Sequence, residues 1–198
     1  MTKKNKAIVF TAPSGAGKTT IVKHLLNTFP QKLSFSISAT TRQKREIETH
    51  GKDYYFISTE DFRDKIASGD FIEWEEVYEN QFYGTLKSEI ERIWSDDKTV
   101  VFDVDVKGAT KIKQYFGSDC LAVFVSPPDL ETLIDRLKKR GTENPQSLKK
   151  RIDRIKSEMK YRDKFDTVVV NDLLDHTFSK AEKLVIQFLG WDDTDILI

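Results

Sequence analysis

Cysteine occurs once, at Cys120. A single thiol excludes an intramolecular disulfide and suits a reducing compartment. It adjoins the apolar run Leu121 to Val125, so a buried, inert thiol is expected. Net charge is also absent, with 32 basic against 32 acidic residues. No global basic field therefore draws the chain to nucleic acid or an anionic membrane, although a local basic pocket for a small phosphorylated ligand stays open. No apolar run approaches the roughly 18 residues of a membrane span. The basic start MTKKNK precedes only four apolar residues, too few for a signal-peptide core. A soluble, cytoplasmic protein is the expectation. His24, His50 and His176 show no metal-ligand spacing, and no Ser/His/Asp or Cys/His arrangement stands out. Internal repeats and low-complexity tracts are missing too. The 198 residues are enough for one domain, with room for inserted subdomains.

What is present centres on TAPSGAGKTT, Thr11 to Thr20. An apolar, β-branched run (Ala7 to Phe10) precedes it, and a helical pattern begins near Lys18. Strand, Gly-containing loop and helix together make a phosphate cradle. Backbone N–H groups converge on one concavity, and the helix start adds partial positive charge. Lys18 would reach the outer phosphates and the Thr19 hydroxyl a magnesium ion. The alternative is a Gly-rich turn before an ordinary helix.

Further along, Ile21, Val22, Leu25, Leu26 and Phe29 recur at helical spacing until Pro30. Leu33, Phe35 and Ile37 alternate with serines, predicting a strand with one polar face. Thr40 to Lys52 reads as a polar loop. Tyr54 to Ile57 reads as a strand, and Ser58 or Thr59 can cap a short helix ended by Gly69. Phe71 to Val77 alternates as a strand, Asn80 to Gly84 suits a turn, and Leu86, Ile90 and Ile93 mark a helix. Val100 to Val106, Leu121 to Val125 and Thr167 to Asn171 read as buried strands. Helices follow each of them, with a polar break at 141–147. Strands alternating with helices predict a mainly parallel sheet covered on both faces, with ligands at the strands' carboxyl ends. That rule gathers the Gly loop, Ser38, Asp103, Asp105 and Asn171 around one crevice.

Several residues there could carry chemistry. Asp103 and Asp105, two apart on a strand, would share a face. They could serve a magnesium ion, accept N–H groups from a base, or cap the helix at Gly108. Arg42 and Arg45 flank the mixed segment, Arg136 and Arg140 share a helix face, and Arg151 begins the next helix. Each alone could be a solvated charge. Together they suit the screening that two phosphorylated reactants require. Glu73 beside Trp74 could be a surface acid, or it could accept the paired N1–H and N2–H of guanine, which adenine lacks. Ser38 and Thr85 could donate to a base carbonyl, Tyr54 and Tyr83 to a phosphate; the tyrosines could equally belong to the core.

Taken together, these motifs resemble the guanylate kinase family from Ala7 to about Leu189. The carriers are APSGAGKTT, FSISATTR with Arg45, Glu48 and GKDYYF, then FIEW, YGT, DVDVKG, RLKKRGTE, Arg151 and VVVND. The resemblance implies an α/β P-loop NTPase fold: three α/β/α layers, a mainly parallel five-stranded sheet, an inserted mixed α/β subdomain and a small lid. It divides a single domain into a core (1–37, 88–137 and 153–198), a GMP-binding insertion (38–87) and a lid (138–152). It implies phosphorylation of GMP, and of dGMP, by ATP with Mg2+ in purine nucleotide metabolism. Ala12, Pro13, Ser14, Gly15, Ala16, Gly17, Lys18, Thr19 and Thr20 would hold the ATP phosphates, with Asn171 near adenine. Ser38, Glu73, Thr85 and Asp105 would read guanine. Arg42, Arg45, Tyr54 and Tyr83 would hold its phosphate, braced by Glu48. Lys18, Arg42, Arg136, Arg140 and Arg151 would stabilise the phosphoryl group in transfer, and Thr19 and Asp103 would serve the metal. No nucleic-acid or membrane partner is implied, and oligomeric state stays open.

Three departures from the family pattern stand out. Ala12 replaces a usual Gly, at about 1 kcal/mol if that position needs positive φ. Lys107 replaces a common Gln, and the segment NQFYGT has one residue more than the usual turn, which makes Tyr83 a better match than Phe82. One rival reading is a peptide-binding scaffold domain of guanylate kinase type. Retention of Lys18, Thr19 and the lid arginines argues against it. Another is a kinase for a phosphorylated sugar, which Ser38, Glu73, Tyr83 and Asp105 argue against.

Overall fold

The computed structural model describes residues 5–139 and 145–192, with side chains at 136–139 and 145–148 left aside. Five strands form one parallel sheet in the order β2-β7-β1-β8-β9: β1 (Ala7–Thr11), β2 (Leu33–Phe35), β7 (Thr99–Asp103), β8 (Cys120–Ser126) and β9 (Thr167–Val170). The central strands are apolar throughout because helices cover both faces. Ile8, Phe10, Val101, Val123 and Val125 point into a core shared with Ile21, Val22 and Leu25 of α1 (Lys18–Thr28). Leu133 of α5 (Leu130–Lys139), Ile155 of α6 (Pro145–Met159) and Val185 of α7 (Leu174–Leu189) close that layer. Alternate residues Ala7, Val9, Val100, Phe102 and Ala122 face the other layer. There α3 (Lys87–Ser95) supplies Ile90 and Ile93, and α4 (Val106–Phe116) supplies Ala109 and Ile112. The expected three-layer α/β/α architecture with five parallel strands is present.

The second sheet has four short strands in the order β4-β3-β6-β5: β3 (Ala39–Thr40), β4 (Tyr55–Phe56), β5 (Phe71–Tyr78) and β6 (Gln81–Leu86). Its own core is aromatic. Phe62 of α2 (Thr59–Ala67) stacks on Phe71 and Phe82, with ring centroids 4.3 and 5.3 Å apart. Ser58 is the α2 cap: its hydroxyl oxygen accepts the Asp61 N–H at 3.0 Å.

Several sequence expectations need correction. The serine alternation supports a strand only to Phe35. Ser36 N–H still reaches the Val101 carbonyl at 3.0 Å, but Ile37 N–H turns to the Glu89 carboxylate at 3.1 Å, carrying the chain off the sheet. Ser36 is consequently buried rather than on a polar face. The turn expected at Asn80 to Gly84 is confined to Glu79 and Asn80, and Gln81 onward is a strand paired with β5. Gly84 suits it through close approach, since a Cβ there would lie 2.9 Å from the Glu73 carbonyl. The predicted loop at Thr40 to Lys52 yields Thr40 to β3. Finally, β7 stops at Asp103, and Asp105 is the N-cap of α4. The two aspartates therefore do not share a strand face. The helix-capping alternative describes Asp105, because its carboxylate relieves unpaired N–H groups of the first helical turn. Among the described residues no helix is long and apolar enough to cross a membrane.

Asn80 and Asp97 are the non-glycine residues with positive φ among those described, so Ala12 has none. It is 6% exposed and packs in the core with Ile21. The conditional strain does not arise. Ala12→Gly should destabilise the protein by about 1 kcal/mol, through a lost methyl and a looser unfolded chain. A urea denaturation midpoint tests this, and a stabilised variant would contradict the packing.

Candidate functional site

The parallel sheet delivers β1, β7 and β9 to one edge, and the site is built there. Between β1 and α1 the loop turns sharply, with Gly15 at φ 93° and Gly17 at φ 91°. Both conformations favour glycine. Gly17 is also closed in from behind: a Cβ would collide with the Asn171 amide, whose Nδ2 donates to the Ala16 carbonyl at 2.8 Å. Asn171, 3% exposed, thus buttresses the phosphate loop. Lys18 Nζ contacts Asp103 Oδ1 and donates to the Val104 carbonyl at 3.0 Å. Thr19 Oγ1 donates to Asp103 Oδ2 at 2.8 Å. From α6, Arg151 donates to Ser14 Oγ at 2.9 and 3.1 Å. Ser14, Gly15, Gly17, Lys18, Thr19 and Arg151 line a cavity of about 640 Å³ together with Asp105, whereas Asp103 faces the neighbouring one.

Asp105 also lines a second cavity of about 340 Å³, together with Ser38, Tyr54, Glu73, Tyr83 and Gly108. At its wall Glu73 is 9% exposed and accepts the Thr85 hydroxyl at 2.7 Å. Burial raises the Glu73 carboxyl above its ordinary range, against the lowering by Thr85. Gly108 leaves this carboxylate room, since a Cβ would stand 3.4 Å from Glu73 Oε2. Asp105 Oδ1 accepts the N–H groups of Lys107 and Gly108 at 3.1 and 2.9 Å, leaving Oδ2 turned elsewhere.

At the far side of this cavity Tyr54 and Tyr83 meet edge to face, centroids 5.9 Å apart. Phe82, by contrast, is buried in the aromatic core. The Arg42 guanidinium lies 5.5 Å from the Tyr54 ring and grips Glu48 through two bonds of 2.7 and 3.0 Å. Glu48 also accepts the Arg45 backbone N–H at 2.8 Å, while the Arg45 side chain stays exposed. Arg42, followed by the backbone N–H, pulls the Glu48 carboxyl down to about 2, and Glu48 in turn raises Arg42.

Most expected residues therefore line two adjoining cavities. Asn171 supports the loop from behind, and Thr85 reaches the second cavity through Glu73. Arg140 and the Arg136 side chain lie outside the described residues. Sequence reasoning missed Arg154, Glu158 and Glu89. Glu158 accepts the Ser14 N–H at 3.2 Å and is 6% exposed. Glu89, 2% exposed, joins the Ile37 N–H, the Tyr55 hydroxyl and Arg92. Both acids stand three residues beyond an apolar stripe residue, Ile155 or Leu86, a spacing that marks them as facing inward.

A lysine-bearing phosphate loop on a parallel α/β sheet, open to a second pocket with a buried carboxylate, defines a P-loop nucleotide-binding protein of the phosphotransferase type. A sequence model of "Guanylate kinase" matches residues 4–187. The chain is 47% identical to a guanylate kinase of Porphyromonas gingivalis, over 93% of this chain and 98% of that one. It is 51% identical to one of Salinibacter ruber, over 92% and 96% respectively. The crystal structure of a guanylate kinase from Anaplasma phagocytophilum shares the fold, with TM-score 0.69 at 24% identity, covering 94% of this chain and 87% of that one. The chain belongs to the guanylate kinase family.

The Glu48 shift sets a pH dependence. Its folded value lies below its ordinary 4.5, so its contribution to stability is present above pH 4.5 and fades as pH falls towards about 2. Solvent reaches the pair, which keeps that contribution modest. Glu48→Gln should flatten the wild-type loss of stability across this window, read from denaturation midpoints at stepped pH. Parallel curves would mean that the pair does not form in solution.

Proposed function

We infer that the protein is a guanylate kinase, converting ATP and GMP to ADP and GDP, with dGMP a second acceptor. One observation carries the acceptor assignment: a buried carboxylate, Glu73, anchored by Thr85, walls a cavity that adjoins the phosphate loop through Asp105. Ionised Glu73 accepts the side-by-side N–H pair of guanine and leaves adenine unpaired. Ser38, Thr85 and Asp105 complete the reading of the base. Arg42, Arg45, Tyr54 and Tyr83 hold the GMP phosphate, with Glu48 orienting Arg42.

In the reaction a GMP phosphate oxygen attacks the γ-phosphorus of ATP in line. The bond to the bridging oxygen breaks, and ADP leaves with its electron pair. Positioning and charge neutralisation by Lys18, Arg42, Arg136, Arg140 and Arg151 supply the catalysis, without a covalent intermediate. The Thr19 hydroxyl and the Asp103 carboxylate, 2.8 Å apart, fit the few oxygen donors that Mg2+ takes beside nucleotide phosphates. They would hold that ion, which supplies neutralisation of phosphate charge. Residues 38–87 act as the GMP-binding insertion and 138–152 as the lid on a core of 1–37, 88–137 and 153–198. Closure excludes water, which would otherwise consume ATP. Work in purine nucleotide metabolism in the cytoplasm suits a lone Cys120 whose thiol is buried and pushed up to about 12.

The test is ATP-dependent diphosphate formation with Mg2+ across GMP, dGMP, AMP, CMP, UMP and ribose bisphosphate. Turnover of GMP and dGMP is expected, and none of GMP by folded protein would overturn the assignment. In Glu73→Gln, kcat/KM for GMP should fall about 10- to 100-fold, the loss of a charged hydrogen bond, with ATP affinity nearly intact. KM for GMP should rise in the wild type as pH falls through the raised Glu73 value, because a protonated acid cannot accept both N–H groups. The variant should lack this dependence. A raised folded value also means that ionised Glu73 costs the empty protein stability as pH rises through it. The variant should therefore be no less stable at neutral pH. Equal loss of ATP and GMP binding would make Glu73 structural.

A further inference from the structure

Between the two cavities runs an ionic chain through Arg154 and Glu158, two residues with no role in the assignment above. It starts at the Ser14 N–H on the phosphate loop, which donates to Glu158 Oε2 at 3.2 Å. The other Glu158 oxygen accepts Arg154 Nε at 2.8 Å. Arg154 then turns its fork outward, NH2 lying 3.6 Å from Asp105 Oδ2. Asp105 Oδ1 meanwhile holds the first turn of α4, and the residue lines both cavities. Arg154 follows Arg151 by three residues on α6, so the helix presents both to the phosphate loop, and both line its cavity.

Stability is a poor account of this chain. The Arg154 side chain is 57% exposed, and ion pairs in such a setting contribute about 0–1 kcal/mol. Its geometry is more specific than its strength. Glu158 is buried and tied to the donor loop, and Asp105 belongs to the acceptor pocket. A planar guanidinium meets both carboxylates from a rigid fork, a fixed geometry that the rotatable donors of an ammonium do not hold. A third cavity of about 440 Å³, lined by Glu75, Lys107, Arg154 and Ser157, gives Arg154 room to change partners. Lys107 already pairs with Glu75 at 2.7 Å on its rim.

We propose that Arg154 is a positioning residue that couples the two nucleotide sites, joining Asp105 of the acceptor pocket to Glu158 behind the phosphate loop. The inference rests on the guanylate kinase reading. A base drawn to Asp105 competes for the carboxylate that steadies Arg154. The resulting shift is felt on α6, where Arg151 touches Ser14. Coupling of this kind is reciprocal: GMP changes ATP-analogue affinity by the factor through which the analogue changes GMP affinity.

The experiment measures the dissociation constant of a non-hydrolysable ATP analogue with and without saturating GMP, by calorimetry with Mg2+. In the wild type the ratio should depart from one by about 5-fold or more. In Arg154→Met it should move to within about twofold of one, while each nucleotide alone binds with a smaller change than in the ternary complex. Arg154→Lys, which keeps charge but not the fork, should give an intermediate ratio. A wild-type ratio in Arg154→Met, a ratio of one in the wild type, or equal weakening of binary and ternary binding each overturns the inference. If Arg154→Met fails to fold by circular dichroism, Arg154→Lys decides by the same ratio, and an unchanged value is fatal. Absence of GMP turnover in the wild type would instead defeat the guanylate kinase reading.

Discussion

The phosphate loop depends on Asp103. Parallel pairing sets Asp103 beside Phe10, the next-to-last residue of β1, so the carboxylate arrives where the loop departs. Lys18 and Thr19, the first two residues of α1, both reach back to it. The loop is thereby closed at its far end by a strand some 85 residues away in sequence. At its near end Ala12 sits in the core, and behind it Asn171 seals Gly17. Loop shape therefore follows from sheet register: β7 sets one contact and the end of β9 another. A slip in either strand would displace the contact that it sets.

Four acids beyond Asp103 organise the rest, and their surroundings give them different work. Glu48 is ionised firmly by Arg42 and keeps that guanidinium extended beside Tyr54. Glu73 is buried in a cavity wall behind Thr85, where its charge is costly. Glu89 pins the segment leaving β2 to α3 and to Tyr55, joining the small sheet to the core. Glu158 steadies the loop backbone from α6. A carboxylate's role here is set by the donors that surround it and by how much water remains.

The apolar runs of β1, β7 and β8 and the helical stripes were legible because periodicity reports burial directly. The loop motif was legible because its chemistry needs residue types at fixed spacing. The ends of elements were harder. Val100 to Val106 looks like one strand, yet it breaks after Asp103 because Asp105 satisfies the next helix's N–H groups at once. Asn80 to Gly84 looks like a turn because its Gly and polar residues mimic one, yet from Gln81 onward its hydrogen bonds come from β5.

The sequence by itself determined the layered α/β class, the phosphate loop, and a set of arginines and acids suited to two phosphorylated reactants. Each rests on local spacing or composition, which the chain carries wherever it folds. The tertiary structure decided which residues meet. It set Glu73 against Thr85 across a hairpin, brought Asp105 onto a helix cap between two cavities, and relieved Ala12 of strain. It also joined Arg154 to partners 4 and 49 residues away in number. Those outcomes depend on strand register and helix packing, which are long-range properties that no window of sequence contains.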